Sequence, residues 1–236
     1  QCQALPTFTG SNNEAVRTVT DNRGGTTRTY EIAKLADGKC WMLTNLKLGS
    51  TSGTITLTPA DSDVASNFTL PQLTTSGSPD YDNPRAYGPV PGDTGSGATN
   101  YGYFYNYSAA TAGESRTSLP TGDAPHSICP AGWSLPSGGS TSRDFSQLDI
   151  VFGGSGGTSN GGPSASNWSY GGPFKGVFTG YWNNIFRRYG NAIFLWSANL
   201  SSTDRASYTT ISVHGAVSPI GVYDRYFGLG VRCLLN

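Results

Sequence analysis

The sequence has few charged residues and no excess of either sign. Lys, Arg, Asp and Glu make up 13% of the 236 residues, with 15 basic and 15 acidic side chains. Because no net positive field attracts polyanions to this chain, nucleic-acid binding is disfavoured. A neutral, weakly charged surface also gives little protection against self-association.

Long hydrophobic runs are absent too. No run of about 18 apolar residues occurs, so we expect no transmembrane segment in this chain. The chain starts at Gln1 with Cys2 beside it, which is typical of a mature chain whose targeting or anchoring segment has been removed. We therefore expect an extracellular or cell-surface protein.

The sequence offers little support for catalysis. It has no His-Glu-x-x-His or P-loop lysine motif and only two histidines. The spacing Gly-x-Ser-x-Gly occurs at 153–157, but only within a glycine- and serine-rich loop. His126 lies three residues before Cys129, but one His near one Cys is weak support for a catalytic thiol. The sequence therefore predicts no catalytic residues and no cofactor.

Glycine, proline and aromatic residues are abundant instead. The 32 glycines and 14 prolines predict many turns, while 12% aromatics predict an ordered core of Tyr, Phe and Trp rather than disorder. A chain of this length commonly forms one irregular α+β unit. We expect a single domain over residues 1–236.

The order of patterns along the chain indicates an α+β fold. Val16–Thr20, Thr27–Leu35 and Cys40–Leu43 predict a three-stranded meander. A long loop insertion follows at about 49–100. The predicted helix starts with a capping box at Thr141-Ser-Arg-Asp144 and places Phe145, Leu148 and Phe152 on one face. A loop-rich segment at about 153–228 includes most of the last predicted strands, which are Val177–Trp182, Ala192–Ser197, Ser207–Val213 and Leu229–Leu234.

The four cysteines favour disulfides over a metal site. Their even number allows three pairings, and none lies in a Cys-x-x-Cys motif or a His-containing cluster with metal spacing. The residues alone do not choose among the pairings.

Several segments in order resemble the Fibrobacter succinogenes major paralogous domain, a bacterial surface-protein family. The most specific are Cys-Pro-Ala-Gly-Trp-Ser-Leu-Pro at 129–136 and Gly-Leu-Gly-Val-Arg-Cys at 228–233. The resemblance also includes TVTDNRGGTTRTYEIAKLADGKCWMLTNLKL, YFYNYSAAT, DFSQLD and FLWSANL, so it extends over nearly the whole chain.

This resemblance implies a C-type lectin-like fold, with small twisted antiparallel sheets, one or two helices and long irregular loops. It also implies a disulfide between Cys129 and Cys233, which leaves Cys2 to pair with Cys40. Formylglycine-generating enzymes share the fold but use paired redox-active cysteines near the C-terminal region. That set is missing here, because Cys233 is the only cysteine in this region.

Aromatic and polar residues near the C-terminus are the predicted ligand-binding set. Tyr, Trp, Arg and Asn bring contact area and hydrogen bonds to binding surfaces at low entropic cost. The candidates are Tyr181, Trp182, Asn183, Arg187, Tyr208, Tyr223 and Asp224. Calcium has only weak candidates, namely Asp61, Asp63, Asp80 and Asp82, for which a turn-forming role is the preferred interpretation.

These features predict a non-catalytic surface module that binds a protein or a glycan through its loop-rich end. A structural subunit of a filament, pilus or surface layer is the alternative, because the neutral composition also suits self-assembly. The resemblance raises a third hypothesis, a binding protein diversified by a retroelement. Its variable zone would correspond to residues 181–191 and 207–224.

Overall fold

Short antiparallel strands dominate the structure. The computed structural model describes residues 2–76, 80–95, 97–114, 121–160, 162 and 164–236. Within these ranges the fold is mixed α+β, with several small sheets and few helices. No helix in this part of the chain has the length and apolar character needed to cross a bilayer.

The helices are α1 (Tyr107–Ala110), α2 (Asp144–Val151) and α3 (Ser164–Trp168). The strands are β1 (Val16–Asp21), β2 (Arg28–Lys34), β3 (Cys40–Met42), β4 (Ile55–Leu57), β5 (Phe68–Leu70), β6 (Leu73–Thr74), β7 (Ala86–Tyr87), β8 (Phe104–Tyr105), β9 (Gly122–Asp123), β10 (Trp133–Ser134), β11 (Ser159–Asn160), β12 (Tyr181–Asn183), β13 (Ile185–Arg187), β14 (Ala192–Leu200), β15 (Arg205–Ser212), β16 (Ala216–Asp224) and β17 (Leu234–Leu235).

The first five-stranded sheet joins the two ends of the chain. Its order is β1-β2-β3-β17-β10, and all its pairs are antiparallel. The predicted meander is confirmed, with Val16 opposite Ala33 and Ala33 opposite Trp41. Leu234 near the C-terminus pairs with Trp41, so the last strand completes a sheet that the N-terminal region begins.

The second five-stranded sheet, of order β11-β16-β15-β14-β9, is also antiparallel. One face packs Ile193, Leu195 and Ile211 against aromatic side chains of α2 and α3, namely Phe145 and Trp168. Three smaller sheets, β4-β5, β6-β7-β8 and β12-β13, lie in the long connections.

Two of the predicted C-terminal strands differ from the structure, and one strand was not predicted. The predicted strand Val177–Trp182 is wrong except for Tyr181 and Trp182, which belong to β12, because the Thr179 N–H bonds locally to the Val177 carbonyl. The predicted strand Leu229–Leu234 is wrong for most of its length, because its first residues make only isolated bridges, including Leu229 with Tyr105. Strand β16 was not predicted, because Pro219 and Gly221 interrupt its sequence pattern. The register shifts between Tyr208 and Thr210 of β15, so Pro219 falls in a bulge, where a strand tolerates proline.

Helix α2 is confirmed, but its predicted cap is wrong. The N-cap residue is Arg143 and makes no side-chain cap bond. Ser137 caps instead: its Oγ accepts the Asp144 N–H at 3.1 Å, and the Asp144 carboxylate accepts from the Ser137 backbone N–H at 2.8 Å. The residue that caps this helix therefore lies seven positions before its first residue, outside the predicted capping box.

Both disulfides lie within the core that the sheets enclose. Cys129 pairs with Cys233 and Cys2 pairs with Cys40, and all four side chains are buried. These are the pairs that the resemblance implies. The first bridge holds the Cys-Pro-Ala-Gly-Trp segment against the last strand, where Trp133 pairs with Leu235.

Candidate functional site

An aromatic groove opens on the face of the second sheet that does not pack on the helices. Its volume is 210 Å³. We use the name aromatic groove for this depression, which is lined by Thr158, Arg188, Ala192, Phe194, Tyr208, Thr210, Ser212, Ala216, Val217, Ser218 and Tyr223.

Small side chains form the floor of the aromatic groove. Side chains alternate between the two faces of a strand, so Ala192 and Phe194 point away from the face that carries Ile193. Thr210 stands opposite Phe194 on one side and Ser218 on the other. This row of small residues leaves space above the sheet.

Packed aromatic rings form one wall of the groove. The Tyr208 and Tyr223 rings are stacked with centroids 4.4 Å apart, and Tyr181 lies 5.5 Å from Tyr223. Phe194 stacks on Tyr223 at 5.9 Å. Gly221 makes room for this arrangement, because a Cβ there would lie 2.6 Å from Tyr208 Cζ.

The tyrosine hydroxyls in the wall stay protonated at neutral pH. Burial raises the pKa of Tyr208, and the neighbouring Tyr223 phenol raises it further. Burial also raises the pKa of Tyr223, with a further contribution from the nearby Tyr181. Each hydroxyl therefore remains both a donor and an acceptor for a bound polar group.

Three of the residues predicted to bind a ligand meet at this wall, namely Tyr181, Tyr208 and Tyr223. Trp182 does not lie at this wall, so the prediction that it binds a ligand at the surface is wrong. Its ring is fully buried and stacks on Tyr87 with centroids 3.8 Å apart. Neighbouring residues of a strand face opposite sides, so β12 directs Tyr181 towards the wall and Trp182 into a separate core.

The remaining predicted binding residues are not part of the groove lining. Asn183 is half-buried at the tip of the β12-β13 hairpin, where it pairs with Ile185. Arg187 is exposed on β13. Asp224 at the end of β16 is ion-paired with Arg205 at 3.4 Å, so its carboxylate already has a partner.

Much of the floor of the groove was not predicted from the sequence. Ala216 and Ser218 belong to β16, which was not predicted. Thr210 and Ser212 lie within the predicted strand Ser207–Val213, whose alternating pattern was the available signal. Their position in the groove depends on the neighbouring strands β14 and β16, which the pattern of β15 alone does not reveal.

The four carboxylates considered for calcium do not form one site. Ser127 donates to Asp63 at 2.7 Å, and Ser62 donates to Asp61 at 2.6 Å. Asp80 accepts from the backbone and side chain of Asn83, and Asp82 is ion-paired with Arg225. In the described ranges, no group of three or more His, Cys, Asp or Glu side chains could hold a metal ion.

The pKa values of these carboxyl groups reflect their separate surroundings. Burial raises the pKa of Asp63 above its ordinary value. Burial acts the same way on Asp80, but hydrogen bonds from Asn83 outweigh it and lower the pKa of that group. Asp80 thus takes part in a local turn, whereas Asp63 joins its loop to the distant Ser127.

A larger cavity of 420 Å³ lies beside the Cys-Pro-Ala-Gly-Trp segment, with Trp133 in its lining. Its buried charges already satisfy each other, because Arg23 forms a 2.8 Å ion pair with Asp21. The Arg23 guanidinium also donates to Ser62 Oγ and to the Ile128 carbonyl. These bonds fix two loops to one another, so we assign this cavity a structural role.

No protein-family model matches this chain, and neither a curated protein nor a solved structure matches it.

Proposed function

We propose that this protein is a non-catalytic extracellular binding module with a C-type lectin-like fold, related to the Fibrobacter succinogenes major paralogous domain family. It recognises a protein or a glycan through the aromatic groove. The groove is the observation that carries this proposal, because its lining combines the half-buried Tyr223 and the buried Tyr208 with small hydroxyl side chains and a cation. In a lining of this kind the aromatic rings provide contact area, and the few polar groups fix the orientation of the bound ligand.

The fold and the disulfides support the same proposal. The last strand, β17, pairs with β3 of the N-terminal meander. The bridge between Cys129 and Cys233 is the disulfide that the resemblance implies. Disulfides persist in oxidising compartments, which supports a place outside the cell. Eight of the eleven residues that line the groove fall within residues 181–191 and 207–224, and Thr158, Ala192 and Phe194 lie outside them, which suits the related hypothesis of a diversified binding protein.

A direct test is to probe an array of immobilised glycans and extracellular proteins with the wild-type protein and two tyrosine variants. Tyr223→Leu removes a ring from the groove wall but keeps apolar volume. Tyr170→Leu is the matched control, because Tyr170 is 44% exposed and lies outside the groove. We expect Tyr223→Leu alone to lose the wild-type hits, with both variants showing cooperative unfolding. Equal binding by all three proteins would contradict the proposal.

A structural subunit of a filament or surface layer is the second candidate. Exposed apolar side chains in the C-terminal half favour it, since Ile185 is 58% exposed, Tyr189 45% and Val213 41%. In the described ranges, β16 also has no partner strand beyond Val217 on its outer side. Exposed strand edges can pair with a second chain.

A further inference from the structure

The aromatic groove is lined by one cation, Arg188, that the rest of the described chain does not neutralise. The side chains of Arg188 and of its exposed sequence neighbour Arg187 have no carboxylate within 4.0 Å among the described residues, and they donate no hydrogen bond to any of these residues. By contrast, eight other cationic side chains are ion-paired, namely Arg23, Lys39, Lys47, Arg85, Arg143, Lys175, Arg205 and Arg225.

The backbone holds Arg188 in an unusual conformation. Its φ of +54° lies in the left-handed region, which an arginine rarely adopts and which is often retained at functional sites. Its carbonyl accepts the N–H groups of Asn191 and Ala192. Gly180 packs directly below, since a Cβ there would lie 2.1 Å from the Arg187 carbonyl oxygen. This packing fixes the segment beside the groove.

The charge of Arg188 acts on the groove itself. Burial raises the pKa values of Tyr208 and Tyr223, and the positive charge of Arg188 opposes that shift at both hydroxyls. Arg188 lines the same groove as the two tyrosines. An anionic group placed between them would gain from the charge and from the hydroxyl donors.

The other groups of the groove suit a polyhydroxylated ring. Thr158 Oγ1 and Ser218 Oγ are hydrogen-bonded to each other at 3.1 Å. Thr210 Oγ1 donates to the Ile193 carbonyl and can still accept, while Ser212 Oγ accepts from the Ala216 N–H and can still donate. The volume of 210 Å³ is smaller than a typical site for a drug-sized ligand, so the groove suits a single ring. Tyrosine rings beside these hydroxyls provide apolar contact for the ring faces.

We propose that the aromatic groove binds a sugar ring that carries an anionic group, a carboxylate or a sulfate, with Arg188 facing that group. This inference rests on the proposed binding function and names the class of ligand. Arg187 is its exposed neighbour in the sequence, at the end of β13.

Isothermal titration calorimetry with three oligosaccharides of equal length tests this inference. The probes are a galacturonic-acid oligomer, its carboxyl-reduced neutral counterpart and a sulfated galactose oligomer. We expect the wild type to prefer one or both acidic probes over the neutral one. Arg188→Gln should weaken that binding about tenfold or more, as expected for the loss of a charge-assisted hydrogen bond. Added salt should weaken wild-type binding as well.

Two variants separate the charge from the fold. Arg17→Gln is the matched control, because Arg17 is exposed on β1, far along the chain, and has no carboxylate partner among the described residues. Arg188→Gly removes the charge but relaxes the left-handed backbone. It should weaken binding as much as Arg188→Gln, and weakening by Arg188→Gln alone would contradict the role of the charge.

The outcomes also separate this inference from the proposed function. Equal binding of the neutral and acidic probes, lost in Tyr223→Leu but not in Arg188→Gln, overturns the anionic ligand and keeps the groove as a binding site. No binding of either acidic probe overturns the inference, while the array of glycans and proteins still decides the wider function. Preference for the carboxylate or for the sulfate identifies which anion the groove takes.

Discussion

At the scale of single residues, Arg232 shows how the fold stabilises a buried cation without an acid. Its side chain is fully buried, and no carboxylate of the described residues lies within ion-pair distance. Nε donates to Asn45 Oδ1 at 2.7 Å, and the terminal nitrogens donate to the carbonyls of Phe174 and Lys175. The guanidinium also lies 4.3 Å from the Phe174 ring centroid. Burial lowers the pKa of Arg232 to about 9.

We expect Arg232→Met to lower the free energy of unfolding by about 2–4 kcal/mol, because Asn45 and two buried carbonyls lose their donors. Urea unfolding at neutral pH measures this change. The exposed Arg17→Met should stay within about 0.5 kcal/mol of the wild type. A loss of equal size in both variants would show that Arg232 has no special structural role.

At the scale of elements, the start of helix α2 depends on the Asp144 carboxylate. Burial raises its pKa, but hydrogen bonds from Lys39 and Ser137 outweigh burial and hold the pKa below the ordinary value of 3.8. A carboxyl group with a lowered pKa stabilises the fold above its unfolded pKa. That contribution disappears as the pH falls through the folded-state pKa.

We therefore expect Asp144→Asn to cost about 1–2 kcal/mol of unfolding free energy at pH 7. The difference from the wild type should shrink as the pH falls below 3.8. Thermal or urea unfolding across this pH range provides the measurement, with Glu14→Gln at an exposed turn as the control. A difference that does not change with pH would contradict the assigned role of the carboxylate.

The two disulfides close loops of different length, with separations of 104 residues for Cys129–Cys233 and 38 for Cys2–Cys40. Chain-entropy estimates give about 4.7 and about 3.9 kcal/mol of stabilisation. We expect the double variant Cys129→Ala/Cys233→Ala to lose more stability than Cys2→Ala/Cys40→Ala in matched urea unfolding. The reverse order would mean that local packing, rather than loop closure, sets the contribution of each bridge.

The sequence predicts those elements that local signals determine. The meander follows from alternating side chains between clear turns, and α2 follows from the spacing of Phe145, Leu148 and Phe152. Strand β16 was missed because its bulge against β15 tolerates Pro219, and this tolerance depends on the partner strand. The tyrosines of the groove were candidates from composition, but their separation from Trp182 required the direction of β12.

At the scale of the whole molecule, the two candidate functions predict different states in solution. A binding module with its groove free to accept a ligand should sediment as a monomer at micromolar concentration. Analytical ultracentrifugation over a range of concentrations measures this directly. Concentration-dependent assembly into long particles, visible also by negative-stain microscopy, would favour the filament subunit and its exposed residues Ile185, Tyr189 and Val213.

Amide NMR spectra recorded during titration with the galacturonic-acid oligomer test most directly whether ligands bind in the aromatic groove. We expect the largest shift changes at Arg188, Tyr208, Thr210, Ser218 and Tyr223. Changes confined to the cavity beside Trp133, or no change at any residue of the groove when binding is saturated, would contradict this expectation.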